Sequence, residues 1–75
     1  MLRPTTLDNQ WRNLMELCES EAQFRVKGGH PRLLSLLASD IARLAAEMGF
    51  SARRIESRDF RAKREGDHIV GIATD

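Results

Sequence analysis

Apolar side chains recur along the first third of the chain at the spacing of an α-helix. Leu7, Trp11, Leu14, Cys18 and Ala22 follow one another at intervals of four, three, four and four residues, which aligns them on one helical stripe. Arg12, Glu16, Glu19 and Gln23 fall on the other side. The pattern predicts a helix from residue 6 to about residue 20, capped by Thr5 or Thr6, with Asp8 facing the positive end of the helix dipole. Residues 1–5 are expected to be disordered. The following "AQFRV" alternates apolar and polar positions. Phe24 and Val26 favour extended structure, so a short strand is expected over Ala22–Val26. The same residues also fit a helix continued to Lys27 and closed by a left-handed Gly28.

A second helical pattern is stronger. Leu33, Leu37, Ile41, Leu44 and Met48 form its main seam, widened by Leu34, Ala38 and Ala45. Pro31 suits the first helical position, which puts His30 at the N-cap, and Gly49 suits the left-handed position after the last turn. Arg32, Ser35, Ser39, Arg43 and Glu47 make the wet face, and Leu36 lies off the seam. Beyond Gly49 the period changes. Ile55, Phe60, Ala62, Ile69, Val70 and Ile72 are spaced for two strands, joined by a loop Arg64-Glu65-Gly66 with Gly66 left-handed. In that register Phe60 faces Val70 and Lys63 faces Asp67, with a bulge near Ser57–Asp59 to bring Ile55 and Phe60 to one face. The expected fold is α+β, in the order α-β-α-β-β, a single small domain with a thin antiparallel sheet and two helices on one face.

Size changes the picture. A chain of 75 residues buries little core for its surface. One cysteine excludes an internal disulfide, and no close set of Cys and His suggests structural zinc. Such chains gain stability from a partner subunit, so a homodimer is expected. The first fifty residues hold six basic and six acidic side chains, so net charge does not by itself imply nucleic-acid binding. No apolar run approaches the length of a membrane span. "MLRPTTLDNQW" has no signal-peptide core, and the chain reads as cytoplasmic, from a prokaryote or phage.

Three stretches could carry chemistry. In "KGGHPR", Lys27, Gly28, Gly29 and His30 precede a helix N-terminus, an arrangement that offers backbone N–H groups to an anion or small ligand. A plain reversing turn uses the same glycines, and the P-loop pattern is missing. In "ARRIESRDFRAKRE", Arg53, Arg54, Arg58, Arg61, Lys63 and Arg64 could track phosphates, as β-ribbon DNA readers do. Glu56 and Asp59 interrupt them, and a charged edge strand guarded against aggregation looks alike. Trp11, Leu33, Leu36, Leu37 and Leu44 offer more apolar surface than two thin layers cover, a candidate interaction surface. Cys18 falls within an apolar stripe, and Glu19 and Glu21 read as solvated helix-surface acids. Acid, base and nucleophile do not converge on an enzyme. No cofactor or metal is expected.

From Phe24 onward, "FRV", "HPRLLSLLASDIARLAAEMGF", "SARRIESRDF" and "DHIVGIATD" follow in the order of a βαββ unit. Leu36, Leu37, Ile41, Ala42, Leu44, Ala45 and Gly49 resemble the helix motif of an ACT-type, ferredoxin-like regulatory domain. The resemblance covers residues 24–75 and lacks the second half of that fold. It implies a ligand site around Gly28, Gly29 and His30. The residues themselves favour a small non-enzymatic protein-interaction module, regulatory or accessory, acting as a homodimer with an unidentified protein partner. A nucleic-acid binder using the basic hairpin is the alternative, and a small-ligand sensor the weaker one.

Overall fold

The computed structural model describes residues 6–72. The expected disorder of residues 1–5, and Thr5 as a cap, lie outside them. Three helices precede a hairpin: α1 (Thr6–Lys27), α2 (Pro31–Glu47), α3 (Ala52–Ser57), β1 (Ala62–Glu65) and β2 (His68–Ile72). The class is α+β with a two-stranded antiparallel sheet, in the order α-α-α-β-β. The strand expected at Ala22–Val26 is the last part of α1. Nothing in this segment breaks a helix, since Ala22, Gln23, Arg25 and Lys27 are good helix formers. Arg25 pairs with Glu21 one turn back, at 2.6 Å. Gly28 then ends α1 at φ 70°, its N–H donating to the Arg25 carbonyl. "FRV", the strand in the ACT-type resemblance, is therefore helical.

Helix α2 starts and stops where its residues dictate. Pro31 opens it after His30. At its end the Gly49 N–H donates to the Ala46 carbonyl and the Phe50 N–H to that of Ala45, with Gly49 at φ 99°. This is a Schellman closure, and it drives the Phe50 ring into the core. Leu14 of α1 and Ile41 and Ala45 of α2 are fully buried at the helix–helix contact, joined by Met48, Phe50 and Ile55. Trp11, Phe50 and Phe60 form an aromatic run, with ring centroids 6.3 and 5.1 Å apart.

Ile55 belongs to a short helix and not to a strand. Ser51 caps α3 by accepting the Arg54 N–H, so no bulge near Ser57–Asp59 is needed to reconcile Ile55 with Phe60. The hairpin register also differs from expectation. Glu65 pairs with His68, Arg64 with Ile69, Lys63 with Gly71 and Ala62 with Ile72. The loop is thus two residues, Gly66-Asp67, with Gly66 first at φ 61°, where a tight hairpin turn tolerates a left-handed residue. The bulge falls between Lys63 and Arg64 on one side and Val70 on the other. The hairpin leans on α1 through β2, while α2 packs on α1 and α3. Only α1 among the long helices underlies the sheet.

Candidate functional site

Among the described residues Glu21 is the buried acid, 4 % exposed. It is not the solvated surface acid expected from the sequence: it lies seven residues after Leu14, and that spacing puts both on one face of α1. Its carboxylate accepts from Arg25 through Oε1 at 2.6 Å and from Arg58 through Oε2 at 3.0 Å. Arg58 reaches it from the end of α3, with a left-handed backbone at φ 60°. The Arg58 and Asp59 N–H groups close α3 onto the Ile55 and Arg54 carbonyls. Its side chain also donates to the Ile55 carbonyl at 2.7 Å, and its buried Nε finds no partner among the described residues. One arginine thereby ties α1, α3 and the approach to β1 together.

Cys18 lies beside this cluster. Burial pushes its thiol above its usual range, Arg58 pulls it down, and Glu21 pushes it up; burial dominates. The thiol is held protonated, which is unfavourable for a nucleophile. Met15, Cys18, Glu21, Ala22, Arg25, Arg58 and Phe60 line a hollow of about 310 Å³. A second cluster lies across α1. Asp8 accepts the Ile69 N–H at 2.7 Å and sits 3.2 Å from His68 Nδ1, pinning β2 to the first turn of α1. A larger hollow of about 600 Å³ runs between α1 and α2, lined by Asn13, Glu16, Ser20, Asp40, Arg43 and Glu47 among others. Its side chains converge on no common point of chemistry. Among the described residues no group of three His, Cys, Asp or Glu could hold a metal ion.

The basic run is divided by one acid of its own, Asp59, and one from α1, Glu21. Arg58 serves Glu21, while Arg54 and Arg61 reach Asp59 at 3.5 and 3.0 Å. Arg53, Lys63 and Arg64 are exposed, the last two side by side on β1. The glycine turn joins two helices instead of a strand and a helix. Gly28 and His30 are left-handed, at φ 70° and 61°, and Gly29 is not. The His30 side chain makes no hydrogen bond to the start of α2 and meets the Phe24 ring edge-on, centroids 6.0 Å apart. Lys27 is exposed at the end of α1.

The candidate interaction surface is also divided. Trp11 and Leu44 pack against the core. Leu33 and Leu37 are half-buried, and Leu36 is 58 % exposed. Val26, near the end of α1, is the most exposed of the large apolar side chains described, at 87 %. No described helix is long and apolar enough to cross a membrane. Comparison with known protein families, with curated proteins and with solved structures finds no match to the chain.

Proposed function

We propose that the protein is a small non-enzymatic interaction module, with a regulatory or accessory role, that works as a homodimer through the stripe of α2 that carries Leu36. The observation carrying this reading is Leu36, 58 % exposed on α2 among polar and charged neighbours of one stripe. Arg32, Leu36, Asp40, Arg43 and Glu47 share one stripe of α2, spaced four, four, three and four residues apart. Two such stripes laid antiparallel about a two-fold axis set Arg32 against the partner's Glu47, and Leu36 against the stem of the partner's Arg43. The ends of the stripe are self-complementary, as an isologous contact requires, while Asp40 meets the partner's Asp40 near the axis, each held by Arg43 of its own helix at 3.4 Å. Sedimentation at micromolar concentration tests this directly. A dimer that Leu36→Glu converts to a folded monomer supports the reading, and a wild-type monomer defeats it.

A second reading takes the exposed Lys63 and Arg64 of β1 as phosphate contacts on nucleic acid. It predicts DNA retention that falls steeply with salt and that Lys63→Glu with Arg64→Glu removes. Arg61, bound to Asp59, contributes less in this arrangement than sequence position suggested. Absence of retention at low salt retires this reading.

A further inference from the structure

We propose that the outer face of α1, from Met15 to Val26, is a docking track for an acidic amphipathic helix of a partner protein. The inference rests on the reading of the chain as an interaction module, but not on its dimerisation. Met15, Cys18, Ala22 and Val26 are spaced three, four and four residues apart and so form one stripe. The upper part of that stripe is covered, since Met15 and Cys18 pack against the core cluster. The lower part is not. Ala22 and Val26 are exposed, and among the described hydrophobic residues none between Cys18 and Ile41 belongs to the core cluster or packs against it. The final turns of α1 extend past the core they would otherwise cover.

The hollow at Met15, Cys18 and Phe60 shares Ala22 with a second of about 310 Å³, lined by Ala22, Gln23, Val26 and Lys27. Together they make a straight track about 16 Å long, from the 1.5 Å rise of eleven helical residues. That length takes about three turns of a second helix, whose anchors at i, i+4 and i+7 match such a groove. Charge selects the partner. Arg25, 66 % exposed, Lys27 and Arg58 rim the track. The acid among them, Glu21, is buried and engaged by both arginines, which leaves the rim with two positive charges in excess. Glu19, also on α1, faces solvent outside the two hollows. A second copy is disfavoured as the occupant, because two identical tracks brought together would oppose their basic rims.

The probes are two synthetic helical peptides with the same leucine stripe, one flanked by glutamates and the other by lysines. Amide shifts of the isotope-labelled chain report where each binds. The acidic peptide is expected to perturb residues 15–27 saturably, less strongly as salt rises, and to bind about tenfold or more tightly than its lysine counterpart. Val26→Asp should abolish that binding without loss of helicity, and Leu36→Glu should leave it intact. Equal binding of the two peptides, or shifts away from α1, would overturn the proposal. So would concentration-dependent shifts confined to residues 22–27 without peptide, which would make the occupant a second copy. Peptide binding by a chain that is monomeric throughout would sink the dimer and leave the track standing.

Discussion

Arg58 holds a backbone conformation that crowds a β-carbon, and its side chain supplies the compensation. A non-glycine residue in the left-handed region costs about 1 kcal/mol or more, whereas leaving a buried carboxylate short of a partner costs roughly 3–5 kcal/mol. The second figure shrinks here, because Arg58 is 32 % exposed and Arg25 still pairs with Glu21. Arg58→Gly removes the strain and the ion pair together, and is expected to destabilise by about 2 kcal/mol. Arg58→Ala keeps the strain and should cost about 1 kcal/mol more. Urea unfolding followed by Trp11 fluorescence measures both, and equal losses would show that the backbone strain is absent. Arg25→Ala, the more exposed pair on one helix, should cost under about 1 kcal/mol. The Cys18 thiol gives a pH dependence. Its pKa is raised in the folded chain by burial, so the unfolded chain loses its proton first as pH rises. Stability from this group is then complete below the ordinary thiol range, about 8.5, and declines as pH climbs through the folded value. Alkylation of Cys18 should be slower than that of a free thiol at the same pH. Arg58→Ala should push the thiol higher still, because Arg58 is what lowers it.

At the level of elements, regular spacing was legible and its interruptions were not. The two ends of α2 follow from Pro31 and Gly49, and the structure places both there; of the seam, Ile41, Leu44 and Met48 meet the core, while Leu33 and Leu37 stay half-buried outside it. The end of α1 was ambiguous because "AQFRV" satisfies two periods, and what decides it is the Glu21–Arg25 pair and the Gly28 turn, both local to the helix. Helix α3 was missed since Ile55 is its only buried side chain, too few to show a period. The Glu21 cluster was half legible: the seven-residue step from Leu14 could have found Glu21, but Arg58 meets it across 37 residues, and nothing local announces that contact. The same distinction sorts the glycine turn. Gly28→Ala meets no atom within 4 Å, so its cost is conformational alone, about 1 kcal/mol. Gly29→Ala has the same open space without a positive φ, and should be neutral or slightly stabilising. Thermal melts of the pair separate a turn's backbone demand from its composition. The hairpin depends on another remote contact. Asp8→Ala removes the acceptor of the Ile69 N–H and the neighbour of His68, which should cost about 1–3 kcal/mol. Hydrogen exchange should speed at β2 well before the middle of α2, and uniform loss of protection would show that the hairpin does not open on its own.

The whole molecule is a short core with a helical extension. Its buried side chains cluster between Leu14 of α1 and Ile41 to Ile55, while the helices run on to the turn at Gly28–His30 with Val26 and Leu36 uncovered. A chain of this size folds with little stability to spare, so maintaining exposed apolar side chains on two helices is a cost that association would offset. The basic rim near Val26 and the mixed-charge stripe around Leu36 favour different occupants, so the two surfaces should act independently. Independence makes a measurable expectation. If α2 forms the dimer, the wild-type melting temperature rises with protein concentration by mass action. Leu36→Glu should abolish that dependence with helicity unchanged, because the side chain it replaces lies mostly in solvent. Val26→Asp should preserve the dependence, and the double variant should melt as Leu36→Glu alone does, to within about 0.5 kcal/mol. A melting temperature that ignores concentration in the wild type would remove the dimer. A Val26→Asp variant that loses the dependence would move the self-contact from α2 to α1, and the acidic helix would then have no track of its own.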